Sequence, residues 1–351
     1  MSSFRPRLRR VFGRLLLLVV PLSVAFVAAE LILRATGDTD TEPEESLPTE
    51  SRWLTVVPSP ELGWIFPADT TGVFRSSGRL TPIATNSWGL RSPEVSADTT
   101  TRRILMLGDS YTFGWGMVDE AGFVRLVEEG LRRESPQAPI ECINGGLPGF
   151  SLYQQLRMLE HVRRRTKIHA VVATISLAND PIDEKRIRRF APDRLMEFSY
   201  DLRDSDSVTA KLIAASRLLT LIDERTMQLQ FSLINTSGSC RDLAEESLRD
   251  LAAACRDANL PLVWVIVPRT QEIRPGRFWR RALNGATDRM RGHFIGLAEE
   301  LGVPVIDLKP VLIEVQERED IYLPADAHWN EAGHRAVANE VLEMLMVNWK
   351  P

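Results

Sequence analysis

The sequence predicts a three-layer α/β/α protein built on a doubly wound, five-stranded parallel sheet. Three observations lead there. Short apolar runs at Ile104–Leu107, Ile140–Ile143, Ala170–Leu177, Leu262–Val267 and Val303–Leu308 suit strands buried on both faces. Segments with helical spacing separate them, as parallel crossovers require. The first run ends abruptly in Gly108-Asp109-Ser110, at the strand end where open α/β sheets place their ligands.

Taken in order, the chain opens with Arg5, Arg7, Arg9, Arg10 and Arg14 before an apolar stretch from Leu15 to Ala29, followed by Glu30-Leu31-Ile32-Leu33-Arg34. Basic residues ahead of an apolar run predict a cytoplasmic amino end and an exported remainder. The uninterrupted part is about 15 residues, the upper edge of a signal-peptide core. Counted on through Leu33 it is about 19, close to a bilayer span. Residues 1–34 are therefore expected to be a basic cytoplasmic tail and a retained single-pass anchor in the inner (cell) membrane. The rest would lie in the periplasm or outside the cell. A peptide cleaved after Val27-Ala28-Ala29 is the alternative.

Residues 35–52 are acidic and poor in apolar residues, and read as a solvated linker. Residues 53–100 are rich in Pro, Gly, Trp and Thr without a helical period, and read as an irregular β-rich lead-in. Within it, Asn86 and Arg91 either line a pocket edge or form a structural cover bonded to backbone. Residues 101–351 hold the alternating strands and helices. Phe123, Leu126, Val127 and Leu131 place a helix over Asp119–Glu134, with Asp119 as its N-cap. Leu152–Arg165 and Asn330–Val347 are further helices, the last amphipathic. The stretch from about 183 to 257 is longer than one crossover needs and is expected to be an inserted helical cap.

The net charge of −4 over 351 residues gives no reason to expect nucleic acid as a partner. Cys142 reads as a small core residue. Cys240 and Cys255 are expected as free thiols, with a mutual disulfide as the alternative. No metal-ligand spacing or cofactor motif is present, so none is expected.

Four loops after strands hold unusual residues: the Ser110 loop, Asn144–Ser151, Ala178–Pro181 and Leu323–His334. Serine hydrolysis needs a nucleophile, an imidazole base, a carboxylate that fixes its tautomer, and oxyanion donors. Ser110 serves as nucleophile and His328 as base. Asp326, two residues earlier, points the same way in an extended segment. The backbone N–H of Ser110, the N–H of Gly149 and the side-chain amide of Asn179 supply the oxyanion hole.

These loops resemble the SGNH, or GDSL-type, hydrolase superfamily over roughly Arg103 to Trp349. The likeness rests on Gly108-Asp109-Ser110, on Asn144–Ser151 with the family's oxyanion glycine at Gly149, on Asn179-Asp180, and on Asp326 with His328. Leu177 stands where the family usually has glycine. The last block is Asp-x-His rather than Asp-x-x-His, with Ala325 at the usual aspartate position. Asp-x-His-Trp-Asn followed by Gly-His, and the lead-in Asn86–Arg91, are similar to a membrane-anchored subgroup and to alginate O-acetyltransferase relatives. The resemblance implies a flavodoxin-like sheet order and a serine esterase acting through an acyl-Ser110. Its substrate would be O-acyl, in particular O-acetyl, esters of glycans or small molecules. An O-acetyltransferase acting on an exported polysaccharide is the alternative, and a non-catalytic glycan-binding or scaffold protein the second.

Other polar residues receive structural roles. His161, among Arg163, Arg164 and Arg165, is expected on a solvated helix face. His334 is expected to cap or pack. Asp109 is expected to bond loop amides, Asp180 to support the Asn179 loop, and Asp307 to be a substitute for Asp326 only if that residue is misplaced.

Overall fold

A computed structural model describes residues 20–35 except 22 and 33, then 55–76, 79–189, 216–219, 233, 235–274, 278–324 and 326–349. The chain divides into two units, residues 1–44 with 199–230, and residues 45–198 with 231–351.

The larger unit carries the five-stranded sheet, in the order β6-β5-β7-β8-β9 and parallel throughout. Its strands are β5 (Arg102–Gly108), β6 (Ile140–Gly146), β7 (Ala170–Ser176), β8 (Leu262–Val267) and β9 (Val305–Asp307). This is the flavodoxin-like order, and its switch point lies between β5 and β7. Ser110 follows one of those strands and Asn179 the other. The apolar runs fail to alternate because both faces are covered. Ile104, Met106, Val172, Val263 and Val265 pack on one side with Phe123, Trp329, Val337 and Val341. Leu105, Leu107, Val171, Trp264 and Ile266 pack on the other with Met158, Leu248 and Phe294. Trp264 is fully buried, and burial of a side chain that size contributes about 3 kcal/mol.

Helices α1 (Ser110–Phe113), α2 (Phe123–Glu134), α3 (Leu152–Arg163), α4 (Asp180–Arg189), α5 (Gly238–Asp257), α6 (Thr270–Ile273), α7 (Phe278–Leu301), α8 (Leu308–Gln316) and α9 (Glu331–Asn348) connect and flank the strands. Ser151 opens α3 with a reciprocal cap, its hydroxyl accepting from Gln154 N–H while the Gln154 side chain accepts from Ser151 N–H. Asn330 caps α9 by accepting from Ala332 and Gly333 N–H. Gly108 at the end of β5 is required by crowding. A Cβ there would sit 2.0 Å from Thr174 Oγ1 and 2.1 Å from Thr112 Oγ1.

The lead-in forms two antiparallel pairs, β1 (Val57–Ser59) with β2 (Gly63–Ile65), and β3 (Thr71–Ser76) with β4 (Arg79–Ala84). Leu62, Trp64, Phe66, Ile83 and Leu90 join the same core cluster as Leu105 and Leu107. Asn86 and Arg91 are structural. Asn86 Oδ1 accepts from Trp88 and Leu90 N–H at 3.0 Å, and its Nδ2 donates to Pro93 O at 3.2 Å. Buried Arg91 donates to Phe113 O at 3.1 Å, Gly114 O at 2.8 Å and Met117 O.

Several expectations are corrected. A 3₁₀ turn over Asp119–Ala121 precedes α2, so Gly122 rather than Asp119 is the N-cap, and the Asp119 carboxylate lies 3.5 Å from Arg125. His161 is buried, because Glu61 of the lead-in covers it at 2.7 Å. The last strand is shorter than expected, spanning only Val305–Asp307, and it ends where the Asp307 side chain caps α8. Asp307 is thereby taken up with Lys309 N–H and, at 3.4 Å, Arg291. The cysteines, by contrast, are as expected: all three are buried and free, and Cys240 and Cys255 do not pair. The expected cap is helical over α4 and α5, and most of it between them lies outside the described residues.

In the smaller unit, the described residues from 20 to 35 are helical. The Glu30 carboxylate accepts from Ser216 Oγ at 2.8 Å and from Arg217 and Leu218 N–H at 3.1 and 2.9 Å. Residues 1–19, which hold the basic tail and the start of the expected anchor, and the linker from 36 to 52 lie outside the described residues. Among those described, no helix is long and apolar enough to cross a membrane.

Candidate active site

The Ser110 loop is built by its own sequence. Asp109 caps α1 by accepting Tyr111 N–H at 2.9 Å, and Ser110 is the first helical residue. Its backbone N–H therefore has no carbonyl one turn earlier to meet. Gly114, at φ 81°, stops the helix after one turn.

Ser110 Oγ lies 2.7 Å from His328 Nε2, and His328 Nδ1 lies 2.7 Å from Asp326 Oδ1. A carboxylate only accepts, so Nδ1 carries the proton and Nε2 faces the serine hydroxyl as an acceptor. The segment is bent rather than extended. Asp326 Oδ1 also accepts the backbone N–H of His328 at 3.1 Å, so an Asx-type turn, not strand alternation, brings the two side chains together. The carbonyl of Ala327 between them accepts from Tyr111 Oη at 2.9 Å and Thr270 Oγ1 at 3.1 Å. Burial pushes the Asp326 carboxyl up, but the hydrogen bonds and charge of His328 outweigh it and hold it below the usual range.

Two aromatic rings enclose the imidazole. Trp115 is stacked on it with centroids 5.2 Å apart and planes 24° apart, and Tyr111 is tilted against it at 5.0 Å. The Arg91 guanidinium holds the carbonyls on either side of Trp115, and so fixes the loop that carries this ring.

Gly149 sits in a tight turn over Leu147–Phe150. Phe150 N–H donates to Leu147 O at 3.1 Å, Pro148 is the second residue, and Gly149 has φ 77°. Proline then a left-handed glycine is the type II arrangement. Leu147 N–H donates to Gly108 O at 3.2 Å, which sets this turn against the Ser110 loop.

Asn179 is half-buried after β7. Its Nδ2 donates to Asp183 Oδ2 at 2.9 Å and Asp109 Oδ2 at 3.2 Å, and its Oδ1 accepts from Ser176 Oγ at 2.7 Å. Both carboxylates accept only, so they decide which end of the amide faces them. Burial pushes Asp183 up to about 6, against the hydrogen bond from Asn179 and the charge of Arg186. Burial raises Asp109 as well, and raises Asp180 strongly, with the Asp109 charge adding to it. Asp180 Oδ2 accepts Ser176 N–H at 2.7 Å. Asn235 brackets the loop, donating to Leu177 O and accepting from Ile182 N–H, both at 2.9 Å.

Ser110 and Asp326 thus each contact His328, on opposite ring nitrogens, with Gly149 and Asn179 on loops bonded to Gly108 and Asp109. His334 lies apart, accepting Phe123 N–H at 3.2 Å through Nδ1. Sequence reasoning missed Trp115, Tyr111, Thr270, Asp183 and Asn235. Tyr111 and Trp115, close after the serine, were the two with a local cue.

A family model described as the GDSL-like lipase/acylhydrolase family matches residues 106–336, well over half of the chain and all four loops. No curated protein matches. Among solved structures, an α/β hydrolase enzyme from the metagenome of Lake Arreo, Spain, is 18% identical with TM-score 0.43, covering 69% of this chain and 94% of its own. An acetyl xylan esterase from Geobacillus stearothermophilus is 16% identical with TM-score 0.41, covering 71% and 97%. The psychrotrophic esterase EstA from Pseudoalteromonas sp. is 14% identical with TM-score 0.40, covering 70% and 97%. At these identities and TM-scores no activity is carried over from them.

Proposed function

Since the chain belongs to the GDSL-like lipase/acylhydrolase family and is a serine hydrolase acting on esters, we propose that it cleaves O-acyl esters through Ser110, His328 and Asp326. The observation that carries this reading is the pair of 2.7 Å contacts running from Ser110 Oγ through the imidazole to Asp326. Ser110 Oγ attacks the ester carbonyl while His328 Nε2 takes its proton. Asp326 stabilises the imidazolium without taking the proton itself. The oxyanion accepts from Ser110 N–H and Gly149 N–H. It also accepts from Asn179 when one amide proton leaves its carboxylate, and the longer bond, to Asp109, is the one expected to yield. Collapse returns the proton from His328 to the leaving alcohol and leaves acyl-Ser110. Water, deprotonated by His328, attacks the acyl carbon. Collapse then frees the carboxylic acid and reprotonates Ser110.

The acyl group is O-acetyl and the alcohol a glycan or small molecule. This choice is supported by the likeness of Asp326–Asn330 to the anchored subgroup. Residues before the linker hold the chain in the inner membrane, with the sheet unit on the exported side, a reading supported by basic residues preceding an apolar run.

The test is turnover of p-nitrophenyl acetate and of acetylated oligosaccharide, with fluorophosphonate labelling, by wild type and Ser110→Ala. Wild type should turn over and be labelled, and the folded variant should do neither. Equal labelling of the two would overturn the assignment. Acetylated sugar appearing at the expense of acetate, on adding an acceptor, would assign transfer instead. Resistance of the full chain to carbonate extraction from membranes tests the anchor.

A further inference from the structure

Trp64 lies in β2, in the lead-in and outside the residues 106–336 that match the family. Its indole is buried and stands edge-on to Phe150 at 5.5 Å. Its Nε1–H donates to the carbonyl of Pro148 at 3.2 Å. That carbonyl belongs to the Pro148–Gly149 peptide, the central peptide of the turn. A trans peptide is planar, with its C=O and N–H on opposite sides. Holding the one aims the other.

This peptide has a second arrangement open to it. Rotating it by about 180° converts a type II turn into a type I turn, with proline tolerated in both. Gly149 allows the change because glycine takes either sign of φ. In the rotated form Gly149 N–H would face the indole N–H. An indole nitrogen is a donor only. Two donors would then oppose each other, and the Trp64 hydrogen bond would be lost at a buried site.

We propose that Trp64 is a positioning residue for ester cleavage, holding the Pro148–Gly149 peptide in the arrangement that turns Gly149 N–H away from the lead-in and toward the oxyanion beside Ser110. The inference rests on the proposed function, in which Gly149 is an oxyanion donor. It places one determinant of the site in a segment that precedes the family's matched residues.

Two replacements test it. Trp64→Phe keeps a ring against Phe150 and removes the donor. Incorporating β-(3-benzothienyl)alanine at position 64 removes only the N–H and keeps the shape, which covers the case in which the phenylalanine variant does not fold. Each is assayed for kcat and KM on p-nitrophenyl acetate and on its thionoester counterpart, whose developing sulfur anion accepts hydrogen bonds poorly. A lost oxyanion donor costs about a hundredfold or more elsewhere, and a donor misaimed part of the time should cost about tenfold in kcat with KM nearly unchanged. The preference for ester over thionoester should shrink with it, which a packing defect would not produce. A benzothienyl protein matching wild type in both kcat and that preference overturns the inference, whereas the functional reading would stand. A wild type that is inert to ester and unlabelled at Ser110 overturns both.

Discussion

Replacing Arg91 by methionine keeps the buried stem and deletes the guanidinium. Three carbonyls, of Phe113, Gly114 and Met117, then lose their donor together. A hydrogen bond from a charged group contributes about 1.5–3 kcal/mol, and a buried polar group left unpaired costs about 1–3 kcal/mol. Two features hold the sum down. Arg91 is itself buried, and its Nε has no partner, so part of its desolvation is uncompensated in the native protein. The stack on the Phe113 ring at 5.0 Å is partly kept by the methionine stem. The expected loss is about 3–4 kcal/mol, or about 10 °C in melting temperature for a unit of this size. Activity should fall with it, because the freed carbonyls flank the loop that sets Trp115 on the His328 ring. Small displacements of a base cost about tenfold or more in kcat. Urea unfolding followed by tryptophan fluorescence gives the first quantity, and ester turnover below the transition gives the second. Arg91→Lys, which has fewer donors and no fork, should fall between. A methionine variant within about 1 kcal/mol of wild type, with kcat unchanged, would refute the reasoning.

Two further outcomes are expected. Asp326→Asn should leave the fold intact and lower kcat by about 10³–10⁴-fold, because an amide can stabilise the wrong imidazole tautomer; turnover near wild type would remove Asp326 from the triad. His334 is buried, and burial first, then the charge of Arg91, lowers its pKa from 6.5 to about 3. The unfolded chain therefore takes up a proton that the native one refuses. The stability linked to His334 is present above pH 6.5 and lost as pH falls toward 3, by on the order of 1 kcal/mol per pH unit. His334→Gln should flatten the acid side of a stability–pH curve measured by urea titration, and an unchanged slope would count against it.

The sheet was legible because burial on both faces leaves a local signature, as at Ile104–Leu107 and Leu262–Val267. The contact among Ser110, His328 and Asp326 could be anticipated because their blocks are short and stand at strand ends. What escaped acts through distant contacts with backbone. Trp64 binds a carbonyl, which any sequence contains, so nothing marks its target; for Arg91 bonding to backbone was expected, but not which carbonyls it would reach. Trp64 in particular reads as an ordinary core aromatic. Asp183 shares a helix face with Asn179 one turn away, yet that spacing equally describes a solvated carboxylate. His161 was misread for the same reason: its neighbours are three nearby arginines, but the residue that buries it is Glu61, 100 positions earlier.

The bent segment from Asp326 to His328 has a consequence for how activity is gained and lost. Carboxylate and imidazole are two residues apart, and one carboxylate oxygen accepts from both the ring and the backbone of His328, so their union costs the chain almost no loop closure and can outlast wider loosening. The serine joins them from 218 positions earlier in the chain. That link exists only while the entire strand order is in place, so hydrolysis serves as a stringent gauge of native topology. Under mild denaturant it should disappear at or before the loss of helical signal, whereas the imidazole–carboxylate pair by itself would report little.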